Sequence, residues 1–268
     1  MEKRFIILFF ITLYVGYYVN FSYSQVSNIK EVSHSLCREA QRYEREGNLE
    51  KSIEFYEKAY NTSTNPEFKK TVLILIGQVY EKKKDYKKAI EVYRKYLEIA
   101  SNAFEIVEGK RKIAYVYVYK GEYSKGIKLL DEIIEEYSKE KYPGFNFAAD
   151  AQFSKAAIYH NFIKDYEKAV EEYKKMVEEY PDDWRVKEDP IVFVKMAACY
   201  IELKKYDNAI EIYQRVIKQH RGRKWEEFAK AQIEILNNYY KKGIEPSLEE
   251  LKSVMRNYGL EENFWFNL

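Results

Sequence analysis

The stretch GQVYEKKKDYKKAIEVYRKYL, residues 77–97, carries the pattern that decides the fold. A small residue, Gly77, opens the stretch, and an aromatic ring, Tyr80, follows three positions later. A second small residue, Ala89, stands directly before the apolar Ile90. The same arrangement recurs four more times in the chain, opening at Ala40, Ala114, Ala157 and Ala197. Five copies of one pattern predict a repeat architecture.

Each copy is typical of two antiparallel helices joined by a short turn. Small residues let two helix backbones approach closely, and rings three or four positions away on the same face cover the gap. The turns are predicted where polar residues or glycine interrupt the pattern, at Gly47–Asn48, Lys84–Asp85, Gly121–Glu122, Lys164–Asp165 and Lys204–Lys205. A single helix pair cannot bury its apolar face, so we expect the pairs to stack on one another.

This pattern resembles the tetratricopeptide repeat (TPR) over about residues 33–223. The resemblance implies an all-α fold, a right-handed superhelical solenoid of antiparallel helix pairs with about five repeats. The opening small residues lie 37, 37, 43 and 40 positions apart, whereas the family spacing is about 34. We expect the surplus in longer helices and in two loops, Lys139–Asp150 and Pro181–Pro190.

The N-terminus has the layout of a secretory signal peptide, which we assign to residues 1–24. Lys3 and Arg4 precede an uncharged apolar run over residues 5–19, and a small-x-small pattern follows at residues 22–24. The run is shorter than the ~20 residues that comfortably span a bilayer, which favours a signal over an anchor. The alternative is an uncleaved, membrane-anchoring helix.

The remaining chain divides into a TPR solenoid, residues 25–223, and a C-terminal pair of capping helices, residues 224–268. Trp225 opens a predicted helix that Gly243 ends, and Ser247 begins another. A solenoid needs an atypical last element to cover its open apolar end, and we assign that role to this pair.

The tyrosine content also follows the repeat. Tyrosine accounts for 27 of the 268 residues. Twelve of the 27 occupy three repeat positions, at Tyr43, Tyr80, Tyr117 and Tyr200, at Tyr86, Tyr123, Tyr166 and Tyr206, and at Tyr56, Tyr93, Tyr173 and Tyr213. In the fourth copy His160 stands where the first group has tyrosine. We therefore interpret most of this excess as helix packing and leave Tyr115 and Tyr119 as candidates for recognition.

Composition and motifs argue against catalysis. Lys+Arg is 45 and Asp+Glu is 43, a net charge of +2, which gives no broad field for nucleic acid. Neither phosphate-binding glycine loop, no HExxH and no GxSxG occurs, and Cys37 and Cys199 do not have zinc-site spacing. We predict a protein that is not an enzyme and has no cofactor and no metal site. The alternative is an enzyme, or an enzyme accessory, that acts on envelope polymers.

The resemblance also implies a binding surface. In TPR proteins the first helix of each pair lines a concave groove that holds a peptide or a partner helix. The matching positions are Gln78, Arg111, Tyr115, Tyr119, Ser154, Ile158, Phe162, Val194, Ala198 and Ile201. Their aromatic and apolar character suits an apolar peptide or helix face. The alternative is that the longer helices curl the solenoid tightly and bury these residues against one another.

The signal and the lengthened repeats together predict a protein-binding scaffold of the bacterial envelope, exported to the periplasm or the outer-membrane periphery. The chain is similar there to the TPR lipoprotein subunit of the β-barrel assembly machinery and to the Tol–Pal-associated TPR protein. Its partner would be another protein, with no nucleic acid and with membrane contact only if the N-terminal helix is retained. The chaperone-clamp mode of TPR proteins is disfavoured, because Cys37 and Gln41 occupy the places of its Lys and Asn.

One basic cluster remains outside this scheme. It consists of Arg215, Lys218, Arg221, Arg223 and Lys224. The cluster lies around a predicted helix end, where cations suit the helix macrodipole. An anionic partner or a membrane surface is the functional alternative for it.

Overall fold

The computed structural model describes residues 28–139, 145–222, 224–244 and 247–257. Within these ranges the chain forms α-helices and one π-helical turn. The helices are α1 (28–45), α2 (Leu49–Thr62), α3 (Pro66–Lys82), α4 (Tyr86–Ile99), α5 (Ala103–Tyr119), α6 (Tyr123–Tyr137), α7 (Phe147–Ile158), α8 (Tyr166–Glu179), α9 (Trp184–Lys187), α10 (Ile191–Glu202), α11 (Tyr206–Gln219), α12 (Lys224–Lys241) and α13 (Leu248–Asn257). The π-helical turn, Tyr159–Ile163, follows α7 directly.

The predicted all-α fold of paired helices is confirmed. The five repeats correspond to the pairs α1/α2, α3/α4, α5/α6, α7/α8 and α10/α11, and each predicted turn lies between the two helices of its pair. The short α9 lies inside the second predicted loop, and α7 begins within the first, at Phe147.

The chain divides into two compact units, Met1–Val116 and Tyr117–Leu268. In unit 1, α2 packs on α3 and α3 on α4. In unit 2, α6 packs on α7, α7 on α8, α8 on α10, α10 on α11, α11 on α12 and α12 on α13. The division falls within α5, in the third repeat, and the sequence pattern contains no signal for it.

The second helix of a repeat begins at a capped turn. Asn48, Asp85 and Asp165 precede α2, α4 and α8, and each side chain accepts a hydrogen bond from the backbone N–H three residues later. Such a cap satisfies one of the free N–H groups at a helix start. These residues therefore fix where the second helix begins in three of the five pairs, whereas Glu122 and Lys205 precede α6 and α11 without a side-chain cap.

One of the three repeated tyrosine positions lies entirely in the core, whereas six of the eight tyrosines at the other two positions have intermediate burial. Tyr56, Tyr93, Tyr173 and Tyr213 are all fully or almost fully buried. The opening alanines, Ala40, Ala114, Ala157 and Ala197, are completely buried. The small residues thus provide the space that the rings of the facing helix fill.

The fourth repeat contains one residue more than the others before its turn. In four repeats the N–H after the turn donates to the carbonyl five residues earlier, as from Asp85 to Tyr80 at 2.9 Å. In the fourth repeat Asp165 N–H instead donates to the carbonyl of Tyr159, six residues earlier, at 3.1 Å. The π-helical turn accommodates this insertion, which is the usual structural cause of such a turn.

The insertion corrects the sequence alignment of the fourth repeat. A lysine ammonium lies over the first repeated ring in four repeats, at 5.1 Å for Lys51 and Tyr43, 5.5 Å for Lys88 and Tyr80, 5.5 Å for Lys125 and Tyr117, and 5.6 Å for Lys168 and Tyr159. The ring of the fourth repeat is therefore Tyr159, and the assignment of this position to His160 was wrong. His160 is instead turned into the core, where it is 5% exposed.

The C-terminal helices form where the sequence predicts them. α12 ends before Gly243, whose φ of +61° suits glycine. Gln232 on α12 donates a hydrogen bond from Nε2 to the carbonyl of Leu251 on α13, at 3.0 Å. This bond ties the two helices together, and α12 covers the last repeat by packing on α11.

None of the helices in the described ranges has both the length and the apolar character needed to cross a bilayer. The predicted signal peptide, residues 1–24, lies outside the described residues, as do residues 258–268 of the predicted cap.

Candidate protein-binding site

The predicted groove residues of unit 1 are partly accessible. Gln78 on α3 and Arg111 and Tyr115 on α5 have intermediate burial. The Arg111 guanidinium lies 6.0 Å from the centroid of the Tyr115 ring, at the outer limit of a cation–π contact. Each of these three side chains keeps some surface for a ligand.

Four predicted groove residues of unit 2 are buried. Ser154 and Ile158 on α7, and Val194 and Ala198 on α10, are at most 5% exposed. α10 is apolar nearly all round, and every residue from 192 to 200 is buried. A helix that is apolar on all faces is typically buried on all faces. These four side chains offer no accessible surface in this structure, which agrees with the self-burial alternative for this part of the predicted groove.

Among the predicted groove residues of unit 2, an aromatic pair remains accessible. Tyr119, the last residue of α5, is 48% exposed. Its ring meets that of Phe162 edge to face, with centroids 6.0 Å apart. Phe162 belongs to the π-helical turn and is partly buried, and Ile201 on α10 has similar intermediate burial. Edge-to-face rings hold each other in place, so the pair presents a rigid apolar surface at low entropic cost.

The π-helical turn also creates a buried polar cluster that the sequence pattern did not reveal. His160 packs edge to face against Tyr166 and Tyr173, at 5.8 and 6.4 Å between centroids. Burial, and then the nearby Lys195 ammonium, lower the pKa of His160 to about 3. Burial lowers the pKa of Lys195 to about 8, and burial also raises that of Cys199. His160 is therefore neutral at physiological pH.

Unit 1 has a set of tyrosine–glutamate hydrogen bonds that pattern analysis missed. Tyr56 donates to Glu44 at 3.2 Å, and Tyr93 donates to Glu81. In both pairs the tyrosine follows the glutamate by twelve positions, across the turn. In the sequence, these bonds are indicated by a glutamate four residues after the opening small residue of the repeat. The bond makes Glu81 part of the packing between two helices.

No group of three or more His, Cys, Asp or Glu side chains within the described ranges is arranged to hold a metal ion. The Tyr119–Phe162 pair offers two aromatic rings, which bind a ligand by burying apolar surface. The arrangement is therefore chemically suited to holding an apolar side chain of another protein.

Comparisons with known families agree with this fold. Residues 31–102 match a tetratricopeptide-repeat family model, and residues 113–230 match the model of the soluble NSF attachment protein, SNAP. No curated protein matches the sequence.

Two solved structures are similar in fold. BtubC (BKLC) from P. vanneervenii is 14% identical, with a TM-score of 0.51 over 72% of this chain and 88% of the other. A kinesin light chain with nearly identical TPR-like repeats from Podosopora anserina is 16% identical, with a TM-score of 0.51 over 70% of this chain and 97% of the other. The family models and these two folds together support a TPR repeat protein.

Proposed function

We propose that this chain is a non-catalytic scaffold that binds an apolar peptide or helix face of another protein at the Tyr119–Phe162 pair. TPR-like folds generally mediate protein–protein interaction. The observation that carries the proposal is the exposure of a large ring, 48% for Tyr119, which its neighbour holds in a fixed orientation. Aromatic residues of this kind are enriched among the side chains that dominate binding energy at interfaces.

Site-specific photocrosslinking tests this proposal in cells. A photoreactive residue at position 119 is expected to give a discrete adduct with one protein, and Phe162→Ala is expected to abolish that adduct, because the ring that orients position 119 is lost. Phe104 is the matched control position, since it lies on the same helix and is 44% exposed. An adduct that survives Phe162→Ala, or one that forms equally at position 104, would contradict the proposal.

We further propose that the scaffold works in the bacterial cell envelope after export. The support is the charge and hydropathy layout of residues 1–24. Cell fractionation and the intact mass of the purified protein test this step. Recovery from the periplasm without residues 1–24 is the expected result. A full-length mass in the membrane fraction would favour the anchored alternative, and a full-length mass in the cytoplasm would refute export.

A further inference from the structure

The end of α11 and the start of α12 form the most one-sided charged segment of the repeats in unit 2. Residues 212–225 contain Arg215, Lys218, Arg221, Arg223 and Lys224, and no Asp or Glu. On α11 the side chains at 214, 215, 218 and 219 are all exposed. The positions i, i+3 and i+4 share one helix face, so these four side chains form a single ridge.

This basic ridge, defined as Gln214, Arg215, Lys218 and Gln219, lines an open cleft of about 540 Å³. The Arg215 guanidinium is stacked 4.6 Å from the centroid of the buried Phe193 ring. Stacking fixes the plane of the guanidinium and leaves its N–H groups for a ligand. Within the described part of the chain, none of the four side chains makes a hydrogen bond or an ion pair.

Several other exposed lysines of unit 2 are compensated by acids. Lys168 pairs with Asp165 at 3.4 Å, Lys175 with Glu172 at 3.0 Å, Lys187 with Asp182 at 2.9 Å and Lys230 with Glu226 at 2.6 Å. Lys218 has no acid three or four residues away on its helix. The ridge therefore has positive charge and hydrogen-bond donors that the fold does not use.

We propose that the basic ridge binds an acidic segment of a partner protein. A guanidinium donates two parallel hydrogen bonds to a carboxylate, and an ammonium and two amides add further donors within one helical turn. Two cations and two amides along one helical turn offer more donors than a single carboxylate can accept from, so the ridge suits a segment with several Asp or Glu residues. This surface is separate from the Tyr119–Phe162 pair, and its test does not depend on that site.

An anionic membrane fits the ridge less well. The large apolar side chains next to it are buried or half-buried, with Tyr213, Val216, Trp225 and Phe228 at most 5% exposed and Ile212 and Ile217 partly buried. Peripheral membrane surfaces combine basic residues with apolar side chains that insert between lipids. The ridge therefore has the charge, but no large apolar side chain beside it on α11 is exposed.

The test uses the full-length chain and two probes. The first probe is a fluorescein-labelled peptide of six Glu-Ser repeats, with a Gln-Ser peptide as its neutral counterpart. Fluorescence anisotropy is expected to show binding of the acidic peptide that weakens as salt rises, because the charges are exposed to solvent. Binding of the neutral peptide is expected to be at least tenfold weaker. The second probe is a vesicle of phosphatidylcholine with one quarter phosphatidylglycerol.

Two double charge-reversal variants distinguish binding at a local site from a general effect of net charge. The R215E/K218E variant is expected to lose at least tenfold in affinity for the acidic peptide. The control R94E/K95E makes the same charge change on exposed residues of α4 and is expected to change affinity less than threefold. If R215E/K218E loses helicity by circular dichroism, R215Q/K218Q takes its place, with the same expected direction.

Three outcomes would overturn the proposal. Equal losses in the two charge-reversal variants would show a net-charge effect. If the native chain did not bind the acidic peptide, the ridge would not be a site for acidic segments. Vesicle binding that requires Arg215 and Lys218, without peptide binding, would assign the ridge to a membrane. Retained peptide binding in Y119A/F162A is expected, and its loss would contradict the independence of the two surfaces.

Discussion

The residue in the middle of each turn between paired helices has a left-handed backbone. The φ angles are +78° at Gly47, +58° at Lys84, +83° at Gly121, +63° at Lys164 and +58° at Lys204. This conformation costs an L-amino acid with a side chain about 1–2 kcal/mol, whereas glycine adopts it freely. Two turns use glycine, and the three turns with lysine carry local strain.

Replacing one of these lysines by glycine should therefore stabilise the protein. Lys84→Gly is expected to raise the free energy of unfolding by about 1 kcal/mol, since removal of strain exceeds the added flexibility of the unfolded chain. Urea unfolding followed by circular dichroism measures the change. Lys87→Gly is the control, because Lys87 is an exposed residue of α4 with ordinary helical backbone. A loss of stability from Lys84→Gly similar to that from Lys87→Gly would refute the strain.

A buried lysine in the core of unit 2 also lowers the stability of the fold. Lys195 is 1% exposed, and its pKa is lowered to about 8 by burial. Its ammonium lies 5.8 Å from the centroid of the Phe153 ring, and its charge, like that of Lys164, adds to burial in lowering the pKa of His160 and opposes the rise that burial causes in the pKa of Cys199. The unfolded chain, with the ordinary lysine pKa of 10.5, binds more protons than the folded chain between about pH 8 and 10.5. Stability should rise with pH in this window.

Replacing Lys195 by methionine should remove the unfavourable free energy of burying a charged side chain, together with its pH dependence. Lys195→Met keeps the length of the side chain and is expected to raise the free energy of unfolding at pH 7 by about 3 kcal/mol, since burial lowers the pKa from 10.5 to about 8 and each pKa unit corresponds to about 1.4 kcal/mol. Unfolding curves at pH 7, 8.5 and 10 measure the effect. The gain should shrink at pH 10, where lysine is largely neutral in the folded state. The same change at the exposed Lys174 should have little effect, and a constant gain across pH would contradict the assignment.

At the scale of the helix pair, the approach of α3 and α4 depends on Gly77. A Cβ atom at this position would lie 2.3 Å from Cε1 and 2.5 Å from Cζ of the Tyr93 ring. That ring is completely buried and hydrogen-bonded to Glu81, so it has little freedom to move. The third repeat has alanine at 114 and leucine at 130, whereas the first and fifth repeats combine a buried alanine with a buried tyrosine, so the need for glycine is particular to α3 and α4.

The close approach of Gly77 to the Tyr93 ring predicts a compensating pair of substitutions. Gly77→Ala is expected to destabilise the fold by about 1–3 kcal/mol, the usual cost of overpacking a core. Tyr93→Leu should also destabilise it. The double variant, which copies the third repeat, should be more stable than the sum of the two effects predicts. A double-mutant cycle by urea unfolding checks this, and strict additivity would show that the ring does not limit the approach of the helices.

The helix pairs could be predicted from sequence because their signals are local. The turns at Lys84–Asp85 and Lys204–Lys205, and the buried row of tyrosines, follow from spacing alone. The insertion before Asp165 could not be found in this way, since one extra residue leaves the pattern of each helix intact and only shifts their alignment. Whether Tyr159 or His160 occupies the repeated ring position depends on the hydrogen bond from Asp165 N–H to the Tyr159 carbonyl, and no residue spacing in the sequence predicts that bond.

At the scale of the molecule, accessibility is what the sequence could not predict. The spacing correctly placed Ile158 and Val194 on the first helices of their pairs, but helix position does not determine what covers a residue. Exposure depends on how neighbouring pairs pack, which is a non-local property. The same limit applies to the division between Val116 and Tyr117, which lies inside a continuous helix.

The repeat organisation predicts that damage to one end of the chain stays local. Phe228 on α12 is completely buried and packs edge to face on Tyr213 and Trp225, at 5.9 and 5.8 Å. Phe228→Ala should cost about 3–5 kcal/mol, the usual effect of removing a buried ring. In a solenoid each repeat is stabilised mainly by its neighbours, so hydrogen exchange should accelerate in α11 and α12 and remain unchanged in α2–α4.

Val72→Ala places the damage in unit 1 instead, because Val72 is completely buried there. Its substitution should accelerate exchange in α3 and α4 and leave α11 and α12 unchanged. Mass-spectrometric hydrogen exchange of both full-length variants gives the pattern in one measurement. Equal acceleration throughout the chain from either substitution would mean that the two units unfold as one, and would refute a nearest-neighbour organisation. Opposite and local patterns would mean that a partner bound at one end can stabilise its own repeats without ordering the whole chain.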